Sequence, residues 1–277
     1  MKLIPLRNPS RTDSEYLNVW SLCALSADEL LLACGDAGLR ALSLHTGQLA
    51  AREPTALQYV WRVAFDAHTD TLLLLVWPSN VGYCQLVALR RNASEWLEVQ
   101  RLNTSIPDDC PFVHMAMCYS RVLLKGEGMK TLYVFDVSAA HTLSDAGSVV
   151  HQSVFNALAC TRRDNDTLVA SSFAIVMSLQ RLASLPLRLE RIATSVVTGL
   201  TGAKWLLFRG ELLLIFDWNG DPNKAAIVSL HATDNALTER RMLLDDQNFD
   251  YVTAWTLAGD QLVFSNRYNN LLVYDFV

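Results

Sequence analysis

A six-bladed β-propeller is the fold class that this sequence predicts, and three observations predict it. Six valines recur through the chain (Val19, Val60, Val113, Val154, Val196 and Val252) at separations of 41, 53, 41, 42 and 56 residues. Counted from Val252 through the C-terminus and round to Val19, the separation is 44 residues, so the period closes on itself. Each interval holds short apolar runs parted by turn residues, and a repeat of roughly 40–50 residues built this way is the signature of propeller blades. Helical periodicity is weak throughout.

The first interval shows the pattern most plainly. Residues 19–25 (VWSLCAL) read as a first strand, 26–29 (SADE) as a turn and 30–34 as a second strand. Residues 35–38 (GDAG) turn into a third strand at 39–44. Gly, Asp and Ser between apolar runs of strand length are hairpin chemistry. The same grammar returns at 66–70 before strands at 71–77 and 84–89, at 162–166 before 167–170, at 208–211 before 212–216, and at 258–260 before 261–265. Third strands are expected at 39–44, 86–89, 132–137, 175–179, 227–230 and 271–276. More highly charged outer strands, as suits an exposed edge, are expected at 95–102, 187–192 and 238–244. The last repeat ends after its third strand, and residues 2–7 (KLIPLR) can supply its outer strand. Pro5 fits there, because an edge strand tolerates a missing N–H. The expected architecture is therefore all-β. It has six four-stranded blades in one domain over 1–277, with repeats at approximately 17–58, 59–110, 111–152, 153–194, 195–249 and 250–277 plus 1–7, closed by the N-terminal strand.

Composition narrows the function. Apolar residues make up 51% of the chain and charged residues 18%, enough to build a large core. A net charge of −5 with scattered Lys and Arg lacks the basic face of a nucleic-acid binder. No apolar run approaches the length of a membrane span, and the opening residues do not form a secretory signal, so a cytoplasmic or nuclear setting is expected. The six cysteines show no C-x-x-C spacing and fall mostly in apolar strands, as reduced thiols do. Sequons at Asn92, Asn103 and Asn165 read as chance matches.

Candidate site residues cluster around the valines. The positions beside them hold Trp20, Tyr59, Trp61, Phe112, His114, Phe155 and Tyr251. In a propeller, the starts of the first strands sit at one rim. Aromatics gathered there form a peptide-binding hot spot or wedge between blades as core. Asp108 and Asp109 precede the third valine and Asp250 precedes the sixth, in the two longest intervals, so they would emerge near the same rim. Acids among aromatic rings suit a basic peptide through steering and cation–π contact. For metal, Asp217, Asn219 and Asp221 place oxygens at alternate positions. Their loop lacks the Gly and Glu positions of an EF-hand and matches an ordinary hairpin turn. The histidines show no ligand spacing, and neither nucleophile elbows nor phosphate loops are present.

Several third strands end in comparable phrases: Val134-Phe135-Asp136 and Val273-Tyr274-Asp275. These resemble the strand ends of WD-repeat proteins, and the whole chain resembles a divergent WD-repeat-type propeller. It departs from that family in having no Gly-His pair before a first strand and no Trp-Asp closing a third strand. The phrase at 42–47 (LSLHTG) also resembles quinoprotein and kelch-like propellers. The resemblance implies the superfold, which hosts many functions. The reading that follows is a non-catalytic scaffold binding a protein or basic peptide at one rim through Tyr59, Phe112, Tyr251, Asp108, Asp109, Asp250, Trp20, Trp61 and His114. It uses no cofactor, nucleic acid or membrane. A propeller hydrolase or lyase with its site at the channel mouth is one rival, and a subunit or substrate receptor of a larger complex is another.

Overall fold

The structure is a computed structural model. It describes residues 2–5, 17–51, 57, 59–78, 81–93, 95–110, 112–151, 157–173, 176–184, 186–196, 203–210, 212–218, 225–232, 237–241, 252–266 and 270–275. Strand β1 is Lys2–Pro5. Sheet I follows as β2 (Ser21–Ala24), β3 (Glu29–Ala33), β4 (Leu39–Ser43) and β5 (Leu49–Ala51). Sheet II holds β6 (Val60–Asp66), β7 (Thr71–Val76), β8 (Tyr83–Asn92) and β9 (Glu95–Pro107). Sheet III holds β10 (Val113–Cys118), β11 (Arg121–Gly126), β12 (Thr131–Val137) and β13 (Leu143–Val150). Sheet IV holds β14 (Ala157–Arg163), β15 (Asp166–Phe173), β16 (Val176–Ser184) and β17 (Leu187–Val196). Sheet V holds β18 (Ala203–Arg209), β19 (Leu212–Trp218), β20 (Ala225–Ala232) and β21 (Leu237–Arg241). The chain finishes with β22 (Val252–Ala258), β23 (Gln261–Asn266) and β24 (Asn270–Asp275).

Sheets I to V are each four consecutive antiparallel strands in order, the repeating small-sheet arrangement of a β-propeller. Sheet VI is composite: β22, β23 and β24 are joined by β1, with Lys2 opposite Val273 and Pro5 opposite Asn270. Pro5 thus stands on an outer strand, where its missing N–H takes nothing from the ladder. No helix among the described residues is long and apolar enough to cross a membrane.

The second strands carry most of the core. β7 (TLLLLV) is buried at every position, and β3 and β11 are buried at all but their first residue. Strands covered on both faces read as near-continuous apolar runs, which is why the sequence marks β3 and β7 clearly; β11, whose run is broken by Lys125, is not among the strands expected from the sequence. Each fully buried Leu contributes about 1.5–3 kcal/mol relative to an exposed one. The outer strands are only half covered: β9 alternates exposed and buried positions from Asn103 to Pro107, and β17 has no fully buried residue.

The strands pack into two compact units. The first comprises Met1–Asp109, Ser138–Leu143 and Asp250–Val277. Within it one apolar cluster joins sheets VI and I through Val19, Leu22, Leu30, Ala254 and Val263. A second joins sheets I and II through Leu31, Leu39, Val60, Val63, Leu72 and Leu74. The second unit comprises Cys110–Val137 and Ser144–Phe249. Here Leu123, Leu132, Leu158 and Val169 pack sheet III on sheet IV, and Ala157, Ala170, Leu206 and Leu213 pack sheet IV on sheet V.

One of the marker valines is misplaced. Val60, Val113 and Val252 open their first strands, and Val19 stands just ahead of β2. Val196, however, is the last residue of the outer strand β17, paired with Val176. The repeat boundary expected at 195 therefore falls inside sheet IV, and the next first strand starts at Ala203. β17 runs past the charged stretch that marks it in the sequence because β16 goes on pairing with it to Val176, across a register shift at Leu179/Gln180. Val154 lies outside the described residues.

Candidate functional site

In the first unit, the sequence-marked aromatics meet at one end of sheets I and II. Gly35, just after β3, makes two hydrogen bonds with Val60 at the start of β6: Gly35 N–H to the Val60 carbonyl at 2.9 Å and Val60 N–H back at 3.1 Å. Gly35 has φ +56°, and a Cβ there would lie 3.1 Å from Trp20 Nε1. Only glycine fits this approach without strain. The bridge brings the beginnings of β2 and β6 together, so the Trp20 and Trp61 rings pack with centroids 4.4 Å apart. Trp77, which follows β7, meets Trp61 edge-on, also at 4.4 Å.

The backbone under this cluster is irregular. Val60 pairs with Val76 and Arg62 with Leu75, so Trp61 is the extra residue of a β-bulge. Tyr59, half-buried, has φ +60°, and its carbonyl accepts the Trp77 N–H at 3.0 Å. Positive φ at a bulky non-glycine residue is strained, and such strain gathers at functional sites. Buried Arg62 donates from Nη1 to the carbonyls of Trp20 at 2.9 Å and Trp61 at 2.8 Å. Burial pulls its guanidinium down to about 10, so it stays charged at neutral pH. The indole Nε1–H groups of Trp61 and Trp77 are buried without a hydrogen-bond partner.

The register places further groups at the same end of sheet II. Val76 pairs with Gln85, Gln85 with Asn103 and Tyr83 with Pro107. Tyr83 is 48% exposed. Asp108 N–H donates to the Gly82 carbonyl at 3.2 Å, tying the end of β9 to the β7–β8 turn. Asp108 is half-buried and Asp109 exposed. Tyr59, Trp20, Trp61, Asp108 and Asp109 thus share one end of sheets I and II. Trp77, Tyr83 and Arg62 join them and were not singled out by the sequence reading, although Trp77 and Tyr83 bound the turn at the correct end of the hairpin.

Phe112 and His114 belong to the second unit. Their rings meet edge-on at 5.0 Å. The Phe112 carbonyl accepts the Glu127 N–H at 2.7 Å and the Cys110 thiol at 3.3 Å. His114 is buried and stands opposite Lys125, which is fully buried on β11. Burial lowers the Lys125 ammonium below the usual lysine value, with Glu127 and Cys110 opposing. Lys125 interrupts an apolar run at 122–126 (VLLKG), a visible signal that the sequence reading passed over. Tyr251, Asp250 and Phe155 lie outside the described residues, as do Asn219 and Asp221 of the weak metal candidate. Asp217 is in β19, paired with Ala203 and Ala226. Among the described residues no three His, Cys, Asp or Glu side chains come together as a metal site.

One hydroxyl–imidazole pair invites a catalytic reading. Thr71 Oγ1 lies 2.9 Å from His141 Nδ1 and 2.8 Å from Thr69 Oγ1, which donates to Asp66 at 2.7 Å. Thr71 has no exposed surface, so a substrate cannot reach its hydroxyl. The chain of bonds anchors the 138–143 segment to sheet II.

No protein-family model matches the sequence, and no curated protein matches it. Solved structures do match by fold. A protein from Lactobacillus plantarum is 14% identical, with a TM-score of 0.61 over 95% of this chain and 82% of its own. A chain of the Mitotic Checkpoint Complex is 12% identical, with a TM-score of 0.59 over 100% of this chain and 95% of its own. U3-55K is 11% identical, with a TM-score of 0.57 over 99% of this chain and 98% of its own. Likeness at these identities is likeness of fold, and by fold the chain is a β-propeller of small antiparallel sheets.

Proposed function

We propose that the chain is a non-catalytic protein-interaction module, a single six-bladed ring with sheet VI as its closing blade. In this reading the ring engages a peptide or partner subunit at the rim marked by Tyr59, Trp20 and Trp61. The observation that carries the proposal is the aromatic end of sheets I and II, where a strained Tyr59, a bulged Trp61 and unpartnered indole donors coincide. Large aromatic groups held rigidly at low entropic cost are what interface hot spots use. The acids Asp108 and Asp109 extend the proposed surface in the first unit; Phe112 and His114 belong to the second unit, and Tyr251 and Asp250 lie outside the described residues. With the net charge of −5, the acids favour a basic partner through steering. The structural neighbour that is a chain of the Mitotic Checkpoint Complex is in keeping with this role and with a subunit of a larger complex, and an intracellular setting belongs to the same reading.

Affinity purification of the tagged chain followed by crosslinking mass spectrometry tests it. Crosslinks from the partner should fall on the segments around residues 59–61, 81–83 and 108–109. They should disappear in a Tyr59→Ala/Tyr251→Ala chain whose melting temperature is unchanged. Crosslinks that map elsewhere, or persist in that chain, would remove the site assignment.

A further inference from the structure

The turn between β10 and β11 carries a side chain that folding does not call for. Tyr119 and Ser120 span it with φ +42° and +62°. Such a hairpin turn suits Asn and Gly, which reach the left-handed region at little cost. At the matching turns of sheets II, IV, V and VI the left-handed position falls to Asp70, Asp164, Gly210 and Gly259. Of these five sheets, only sheet III puts a bulky ring there. Tyr119 is 56% exposed, so burial returns little of what the backbone costs. A local rule broken without a local gain marks a residue kept for function.

A guanidinium is held beside the ring. Arg162, exposed at the end of β14, stacks 5.1 Å from the Tyr119 ring centroid, a contact worth little at an exposed site. Its Nε donates to the Asp164 carbonyl at 3.1 Å. These two contacts orient the group, while its Nη fork makes no hydrogen bond or ion pair among the described residues. Arg121, which follows the turn, is fixed by Asp136 at 2.8 Å and by Ser184 at 3.1 Å. Asp166 is taken by Arg181, also at 2.8 Å. The two turns and their flanks thus gather Arg121, Arg162, Arg163 and Arg181 against Asp136, Asp164 and Asp166. This end of sheets III and IV is positive in a chain whose net charge is −5. An oriented guanidinium fork next to an aromatic face is the geometry that receives a carboxylate in two parallel hydrogen bonds.

We propose that the turns at 119–120 and 164–165 form a docking surface for an acidic peptide segment of a partner protein. A carboxylate of the segment takes the Arg162 fork, and an adjoining aliphatic or aromatic side chain lies on the Tyr119 ring. Charge complementarity selects the occupant, since a basic segment would be opposed by the same arginines. The surface belongs to the second unit and uses no residue of the aromatic end, so it stands or falls separately from the basic partner proposed there.

The test titrates the full chain into a fluorescently labelled random copolymer of glutamate and tyrosine, read by anisotropy. The proposal expects saturable binding, with Kd raised at least about tenfold in Arg162→Gln and in Tyr119→Asn. Binding should be unchanged in Arg188→Gln, a control arginine that pairs with Glu190 on β17. Tyr119→Asn relieves the turn and should melt no lower than the wild-type chain. A lower melting temperature would make the ring a structural staple and overturn the proposal. Absence of binding, or an equal loss in Arg188→Gln, would overturn it too.

Discussion

Arg62 shows how one residue sets the geometry of the aromatic end. Its Nη1 serves the carbonyls of both Trp20 and Trp61, so Arg62→Met keeps an unbranched apolar stem and leaves two part-buried acceptors without their donor. Each orphaned acceptor costs about 1–3 kcal/mol. The variant should therefore lose about 2–6 kcal/mol in urea denaturation and show altered tryptophan emission. A loss within error of zero would mean that the guanidinium does not organise this end. Lys125 gives a pH prediction. Burial lowers its folded-state value, so near and below the usual lysine range, 10.5, the unfolded chain binds the extra proton more readily. Stability should then rise as pH climbs through the folded value towards 10.5, where the penalty of a buried ammonium is relieved. Lys125→Met should be the more stable chain at neutral pH and should flatten that rise, measured as melting temperature from neutral to alkaline pH. At this scale the sequence was partly legible. Trp20, Tyr59 and Trp61 were found because they flank a periodic valine, whereas Trp77 and Arg62 take their roles from a bulge and a bridge that have no sequence period.

Elements were legible in proportion to how many of their faces are covered. β3 and β7 are buried on both faces and stand out as apolar runs, whereas β11, equally buried but carrying Arg121 and Lys125, is not among the strands that the sequence predicts. β9 and β17 mix exposed and half-buried positions, and their charged stretches marked only part of each strand. The error at Val196 has the same origin: an edge strand that ends in Ser-Val reads like the start of a buried one. The junction between β3 and β6 rests on Gly35, whose left-handed φ strains any other residue and whose 3.1 Å approach to Trp20 crowds an added methyl group against the indole. Gly35→Ala should cost about 1–3 kcal/mol and shift tryptophan emission by displacing Trp20. Unchanged emission and stability would show that the backbone here can give way freely.

At the scale of the whole molecule, the periodicity made the repeating small sheets legible, and the pairing of β1 with β24 is where sequence order departs from sheet order. Deleting residues 1–7 removes one strand of sheet VI and its four paired positions. At about 0.5–1.5 kcal/mol net per hydrogen bond, the deletion should lower the melting temperature by several degrees. A truncated chain that melts with the full one would sink the proposed closing blade. The partner was not legible, because a propeller rim recruits residues from loops whose spacing carries no repeat. The most direct measurement of the binding claim is to select peptides from a displayed library against the full chain and titrate the best of them calorimetrically. The account predicts basic peptides whose Kd rises at least about tenfold, or 1.4 kcal/mol, in Tyr59→Ala/Trp61→Ala, with the fold intact. Peptides that bind both chains equally, or a library that yields no binder, would contradict it.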